Sequence, residues 1–561
     1  MTSQSSSADV DGRWDEEYDI ICVGSGIGGL SGAITAASKG LKTLVVEKTS
    51  QFGGVTALSG GQIWSPANKY QLARGIEDSL EDGIRYIESL ADGWANDRMT
   101  RNLFHAANEA FDFLEEKGVR FRMIPNLPDY YYPDLQPFAK RDGRYIDAEP
   151  FDLRRLGDDY RHKLRHKAWS SPEMAGITGR PEAQRQDFVY TGEALAGYLL
   201  QAALEAGATC RTNSPATRLI RGEPEAGTSP RVTGVVVKGL DGGGREQRIR
   251  ARLGVLLAVG GYDYNSALVH RYEGRFEPHG TLVFPGIDGD HLAMGADAGA
   301  AIATLPPSRS IVQRAVRTGI RRDEDLSSPA LDNEILAMYW PVGPHEIVVN
   351  RAGKRFADET FYPELHASLH VLDPVRHVHP HWPTWLVMDD NYWSSPMRRQ
   401  QPGPPKEQCH VADTLDELAT KAGIDPRGLK STVDRYNDMC RQGRDDDFHR
   451  GERPWVTSSL AFAPLGTSPL GPIEQAPFYA TKLIQAFLGV GAAGLEINQH
   501  AQVVRQDGRP IPGLYAAGNS AARTDLGMML QSGVTNLRGM VYGFLAAKHM
   551  ADNGCRSRSR L

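Results

Sequence analysis

Apolar positions along the chain follow two rhythms, short continuous runs and a spacing of three to four residues, and the two alternate. Ile20, Ile21, Cys22 and Val23 form one continuous run, the pattern of a parallel strand buried on both faces. A small-residue stretch from Ser31 to Lys39, ending at Gly40, predicts a helix, and Leu41 to Val46 is a second strand-like run. Leu72, Ile76, Leu80, Ile84 and Ile87 then recur at helical spacing. Leu103, Ala107, Phe111 and Leu114 repeat it and stop at Lys117-Gly118, a C-terminal signal. Another helix is predicted from about Gly192 to Glu205, followed by the strand-like "ATRLI" and "VTGVVVK" and by a buried strand in "ARLGVLLAVGGYDY". Strands alternating with helices in this way predict an α/β fold.

From about Phe276 to Leu465 the pattern is less regular, with more proline, tryptophan and histidine. The exception is "TLDELATKAGIDPRGLKSTVDRYNDMCRQG", which reads as two helices joined at Gly423–Arg427. From about Pro477 the α/β character returns in "PFYATKLIQ" and "GLEINQHAQVVRQDGRPIPGLYAAGNSAA", and a final helix reaches about Ala551. The expected organisation is a discontinuous dinucleotide-binding domain over 15–275 and 466–552, with a substrate or cap domain over 276–465 inserted into it. Residues 1–14 are expected to be a disordered lead-in and 553–561 a flexible tail. No internal repeat is present.

Composition narrows the function classes. At 561 residues the chain should hold more than one domain. A net charge of −6 leaves no electrostatic footprint for nucleic acid. No apolar run approaches the roughly 18–20 residues of a membrane span. The start, "MTSQSSSADVDGRWDEE", lacks the apolar core of a signal peptide. Five scattered cysteines with no C-x-x-C pair argue for a reducing, cytoplasmic compartment, and against a disulfide framework, an iron–sulfur cluster or attached haem.

The strongest chemical signal follows the first apolar run. Gly24, Gly26 and Gly29 make a G-x-G-x-x-G, and Glu47 closes the second run eighteen residues after Gly29. In a strand–turn–helix–strand unit such glycines permit a tight turn and a close backbone approach to pyrophosphate. The helix N-terminus faces the phosphates, and the acid bonds a ribose hydroxyl. The next stretch, "KTSQFGGVTALSGGQIW", leaves backbone N–H groups open to a ligand. His366 and His370 stand at metal-pair spacing, but Pro374, Pro380 and Pro383 break up the rest of that histidine-rich run. No third ligand is suitably spaced, so no metal is expected. Asp288 and Asp290 in "GIDGDH" read as part of a glycine loop, not as a carboxylate dyad.

Together with "LLAVGGYDYN", "GIDGDHLAMGADAGA", "VVNRAGKRFADE" and "PIPGLYAAGNSAA", these blocks resemble the fumarate-reductase/3-ketosteroid-dehydrogenase class of flavoproteins over nearly the whole chain. The resemblance implies FAD held between a Rossmann-like domain and an inserted cap. It implies that Gly24, Gly26, Gly29 and Glu47 hold the ADP half, and that Gly53, Gly54, Thr56, Ser59, Gly60 and Gly61 line the flavin side. Gly518 and Asn519 would sit at the ribityl and pyrophosphate, and Gly533 beside the isoalloxazine. "GGVTALSGG" has no counterpart of the histidine that attaches FAD in succinate dehydrogenases, so the flavin is expected to be noncovalent.

Within the class the chain is most similar to 3-ketosteroid Δ1-dehydrogenases, on "FGGVTALSGGQIW", "ADTLDELATKAGIDPRGLKSTVDRYN" and "PFYATKL". The resemblance implies a tyrosine that removes the proton beside a ketone, and flavin N5 taking hydride from the next carbon. A second tyrosine and a backbone N–H would hold the enolate oxygen. Such chemistry needs stabilised charge on oxygen and a base whose pKa comes down from about 10. Tyr339 falls where the base is implied. "PDYYYPDLQP" places Tyr130, Tyr131 and Tyr132 where its assisting tyrosine is implied, with Tyr131 and Tyr132 as candidates, and Gly533 supplies the N–H. The clamping tyrosine falls on Met529, whose thioether donates no hydrogen bond. Either Gly533 works with another donor, such as Gln531 or Arg523, or the substrate is placed differently.

The expected reaction is therefore desaturation of a cyclic ketone, 3-ketosteroid-like or a smaller cyclohexanone type. The alternative is reduction of an unsaturated acid or enone, which needs arginines to grip carboxylate; Arg314, Arg351, Arg355, Arg523 and Arg538 are candidates. A third reading is a flavin-binding protein whose site has decayed, with Met529 as the trace. No second dinucleotide motif suggests a nicotinamide, which leaves oxygen, a quinone or a carrier as electron acceptor.

Overall fold

The computed structural model describes residues 13–166, 187–223, 230–239, 244–273, 279–306, 312–321, 334–338, 343–395, 404, 406–458, 468–487, 489–529 and 531–558. The first apolar run lies in the strand Glu16–Val23, which pairs in parallel with Thr43–Val46 on one side and Glu246–Leu257 on the other. Parallel pairing continues outward to Thr209–Arg211 and to Pro510–Ala516. The sheet is extended by Gln502–Val504 at one edge and by the strands Ala216–Arg221 and Val232–Lys238, which turn antiparallel beside Glu246–Leu257.

The helix Ile27–Ser38 is buried over almost its whole length. It is wedged among the sheet and the helices Thr191–Glu205 and Val534–Arg558. That crowding explains its glycines, alanines and serines. At Gly32, for instance, a Cβ would lie 2.5 Å from the Leu256 side chain. A helix that is apolar on every side in sequence is a helix packed on every side in the fold.

The less regular middle builds two further sheets. Glu346–Asn350, Thr384–Met388, Phe478–Lys482 and His410–Ala412 form an antiparallel one. The helices Leu415–Ala422 and Pro426–Gln442 cover it, meeting Ile347, Val349 and Val387 through Leu418, Leu429, Val433 and Tyr436. The second sheet joins His279–Thr281, Ile484–Phe487, Val312–Arg321 and Glu334–Met338.

These pairings move some of the boundaries drawn from the sequence. Phe478–Lys482 and Ile484–Phe487 pair with strands of the middle region, so the chain returns to the large sheet beyond Gly489 and not at 466. The lead-in ends earlier than expected. Trp14 packs across Gly234, where a Cβ would lie 2.7 Å from the indole, and Arg248 covers its ring at 5.5 Å. At the other end, the helix Val534–Arg558 continues through 553–558, which the sequence had left as a tail. The helical spacing from Leu72 to Ile87 is split between Lys69–Ala73 and Leu80–Leu90, and Leu72 itself is exposed. Cys22, Cys210 and Cys440 are free thiols. No described helix is long and apolar enough to cross a membrane.

Candidate active site

A cavity of about 600 Å³ runs from the glycine turn to Tyr362 and Trp455, within the size range of cofactor and ligand sites. Its first wall is the start of the helix Ile27–Ser38, where Gly24, Gly26, Ile27 and Gly28 line the opening with no acidic side chain in the first turn. Amide groups at such an end favour an anion. Gly24 has φ +100°, and a Cβ there would lie 2.3 Å from the Ala258 carbonyl oxygen, so no other residue fits. Gly29 does not line the cavity; it rests against the Gly24 carbonyl and lets the helix sit on the strand.

Glu47 lines the same end. Its carboxylate accepts from the Ser25 hydroxyl at 2.6 Å and amide at 3.2 Å, and from Thr49 at 2.9 and 3.0 Å. Ser25 in turn accepts from the Gly53 amide at 3.1 Å, which ties the second glycine loop to the first. Gly53 itself is turned away and packs on Ala57 and Ala196, whereas Gly54, Thr56, Ser59, Gly60 and Gly61 line the cavity. Thr56 accepts from the Ile27 amide at 3.0 Å. Lys48, beside Glu47, is shared between Asp288 at 2.6 Å and Asp290 at 3.1 Å, so those acids form an ion-pair cluster and no dyad.

Gly518 and Asn519 close the opposite side. The Asn519 amide donates to the Gly489 carbonyl at 2.6 Å, while its Oδ1 is buried without a hydrogen-bond partner. A buried acceptor aimed at no protein donor is what a ligand's hydroxyl would satisfy. The glycine-lined phosphate end, the acid at the ribose position and this acceptor fit FAD.

The far end is aromatic. Tyr130 and Tyr362 both line it, with phenol oxygens 2.5 Å apart. Trp455 completes the wall, its ring 4.7 Å from Tyr130 and 5.8 Å from Tyr362. Burial pushes Tyr130 up to about 12, opposite to the lowered pKa expected of the base, and hydrogen bonds from Tyr362 and Ser532 pull the other way. Tyr362 is held well above the usual phenol range, first by burial and then by Tyr130 itself. In this pair, therefore, negative charge is better borne by Tyr130.

Of the tyrosine run, only Tyr130 reaches the cavity. Tyr131 packs edge-on against Phe361 at 5.7 Å, and Tyr132 is partly buried outside the cavity. The segment is a series of turns, so neighbouring side chains diverge instead of sharing a face. Tyr339 lies outside the described residues. Sequence reasoning missed Tyr362 and Trp455. Tyr362 stands three residues beyond "VVNRAGKRFADE", and a buried network explains why that block matters: Arg355 bonds Glu359 at 2.6 Å and Asp445 at 2.7 Å, and Arg450 bonds Glu359 at 3.0 Å. The network anchors both loops that present Tyr362 and Trp455.

Gly533 and Met529 line the cavity as well. Gly533 has φ +87°, and a Cβ would lie 2.7 Å from the Trp64 amide nitrogen. Met529 is buried. Gln531 lines the cavity too, and its amide is largely engaged by protein groups. It accepts from Tyr86 at 2.7 Å and from the Tyr130 amide at 3.4 Å, and it donates to Tyr145. Its work is to hold Tyr130. Of the arginines considered, Arg355 and Arg538 are committed to carboxylates, Arg351 is exposed, and the Arg314 side chain is not described. Arg523 lines the cavity, pulled down to about 10 by burial and by Arg538. Among the described residues no cluster of His, Cys, Asp and Glu could hold a metal.

Comparison with known proteins agrees with this architecture. The chain is 30% identical to 4-oxocyclohexanecarboxylate 2-dehydrogenase of Sinomonas cyclohexanicum, over 95% of this chain and 93% of that one. It is 29% identical to 3-oxosteroid 1-dehydrogenase of Mycobacterium tuberculosis, over 96% and 99%. The crystal structure of 3-ketosteroid delta1-dehydrogenase from Sterolibacterium denitrificans, in complex with 1,4-androstadiene-3,17-dione, superposes with a TM-score of 0.79. That match has 26% identity and covers 96% of this chain and 100% of that one. The model of the FAD binding domain matches residues 19–534. The chain belongs to that FAD-binding family.

Proposed function

We propose that this protein is a FAD-dependent dehydrogenase that desaturates a cyclic ketone, a 3-ketosteroid or a smaller cyclohexanone-type ring, in the CH–CH bond beside the carbonyl. The observation that carries the reading is the buried Tyr130–Tyr362 pair in the wall of the cavity that Gly533 also lines. The large parallel sheet serves as the Rossmann-like half, and the inserted region as a cap. Gly24, Gly26 and Glu47 would hold the ADP part of FAD, with Gly54, Thr56, Ser59, Gly60, Gly61, Gly518 and Asn519 along the rest. No nucleophilic side chain in Gly53–Gly61 is of the kind that attaches flavin, which supports noncovalent binding. When bound, FAD supplies the hydride acceptor.

The protein's own residues do the proton chemistry. Tyr130 receives the proton from the carbon beside the carbonyl, and Tyr362 and Ser532 steady the charge on its oxygen before transfer. The Gly533 N–H is the donor to the carbonyl oxygen, on which charge grows as the C–H bond breaks. Trp455, Met529 and Leu526 form an apolar surround that excludes water and strengthens those hydrogen bonds. Tyr339, read from the sequence as the base, lies outside the described residues and stays a candidate for that role. The free thiols support a reducing, cytoplasmic setting.

A second reading, reduction of an unsaturated acid or enone, is favoured by one observation: Arg523 is a buried cation in the cavity wall, able to face a carboxylate. Product analysis separates the two. Incubating the FAD-loaded protein and an artificial electron acceptor with a cyclic ketone should give a product two mass units lighter, with its double bond conjugated to the carbonyl. Ketone recovered unchanged, with enoates reduced instead by the dithionite-treated protein, would favour the second reading.

A further inference from the structure

The Tyr130–Tyr362 pair is assembled from two parts of the chain that are each braced separately. On the Tyr130 side, Asp129 takes hydrogen bonds from Trp64 at 2.6 Å, Arg144 at 2.8 Å and the Lys140 amide at 2.9 Å, and Gln531 holds the Tyr130 amide. On the Tyr362 side, the buried Arg355–Glu359–Arg450 network fixes the loops. Each network braces its own side, and the two sides meet through ring contacts of Tyr130 and Tyr131 with Phe361, Tyr362 and Trp455.

Arg453 joins them as well. Its guanidinium bonds Asp134 at 2.8 Å, four residues from Tyr130, and lies 4.4 Å from the centre of the Phe361 ring, next to Tyr362. Its own loop carries Trp455 two residues on. One side chain thus touches the loop of each phenol and belongs to the loop of the third wall residue. Its side chain is 33% exposed and that of Asp134 is 59% exposed, so the clasp is reachable by solvent and salt.

We propose that Arg453 is a positioning residue, a clasp that holds the inserted region against the Tyr130 loop and keeps the phenol pair assembled. Its kinetic consequence rests on the dehydrogenase reading; the clasp itself does not. Opening it loosens the contact of Tyr362 with Tyr130 and weakens the hydrogen bond to the oxygen that must bear charge, without removing any group that meets the substrate.

The test uses the full-length FAD-loaded protein as wild type, Arg453→Glu, Asp134→Arg and the charge-swapped double variant. Hydrogen–deuterium exchange should rise in 129–135 and 453–458 in each single variant, with FAD content unchanged, and return in part in the double, which restores the ion pair but not the cation over Phe361. The kcat for ketone-driven flavin reduction should fall about fivefold in each single variant and recover in part in the double, the size expected for an exposed ion pair with a cation–π contact. Arg453→Gln, a milder change, should move both readouts in the same direction. Exchange that stays at the wild-type level in the single variants, or a double variant that restores neither readout, would overturn the clasp. If the wild type reduces its flavin with no ketone, the dehydrogenase reading fails, while the exchange arm still decides the clasp.

Discussion

Tyr130 and Tyr362, distant in sequence, meet oxygen to oxygen at 2.5 Å at the wall of the cavity. Because Tyr130 is the better placed to bear charge, Tyr130→Phe should lower the rate of ketone-driven flavin reduction by about 10²–10⁴, the usual contribution of a positioned acid–base group. Tyr362→Phe removes only a supporting donor and should cost less, about 10-fold. Both variants should keep FAD, and stopped-flow absorbance at the flavin band measures both.

Burial raises Tyr130 to about 12, so little of it is ionised at neutral pH and proton removal should speed up as pH rises from 7 to 10. Stability runs the opposite way. The folded-state pKa lies above the unfolded value of about 10, so this contribution is complete below pH 10 and is lost as pH rises through 10 toward 12. Tyr86, Tyr145, Tyr362 and Tyr542 are raised by burial in the same sense and add to it. Melting temperatures taken between pH 8 and 11.5 should hold to about pH 10 and then fall; a rise there would contradict the burial of these phenols.

Glu47 is held by Ser25 and Thr49 with its carboxylate at the cavity wall, ready to meet hydroxyls of the cofactor. Glu47→Gln should weaken FAD binding about 10- to 100-fold, the loss expected for a hydrogen bond to a charged group. Fluorescence titration of the flavin-stripped variant with FAD gives the number directly.

Met529 contributes shape and not polarity. Met529→Leu keeps the volume and should leave flavin reduction within about threefold of wild type. Gly533→Ala places a methyl 2.7 Å from the Trp64 nitrogen in a backbone region that disfavours side chains. It should cost about 1–3 kcal/mol of stability and a larger share of the rate, since the N–H proposed to meet the carbonyl must shift. Thermal melts and single-turnover kinetics on the two variants separate these effects.

The FAD-binding end was legible because its physics is local. A short apolar run, a glycine turn and an acid at the end of the next strand each leave a mark within some thirty residues, and Gly24, Gly26 and Glu47 stand together at the cavity. The aromatic end was not, because it depends on contacts between distant segments. "YYY" gives no hint that Tyr130, and not its two neighbours, is turned inward, since turns have no fixed period. Tyr362 and Trp455 are brought in by a buried ion network whose members are spread from Arg355 to Arg450. The boundary at 466 moved for a similar reason: Phe478–Lys482 reads as a short strand of any sheet, and only its partners reveal which one it joins.

If the flavin site and the phenol pair act together on a cyclic ketone, anaerobic titration of the yellow holoenzyme with 3-ketosteroids, cyclohexanone-type ketones and saturated dicarboxylic acids, followed at the oxidised flavin band, is decisive. At least one of the ketones should bleach the flavin rapidly, the dicarboxylic acids should not, and no ketone should bleach Tyr130→Phe on the same timescale. Flavin that stays oxidised with every ketone, or a Tyr130→Phe variant that bleaches as fast as wild type, would rule out this joint action.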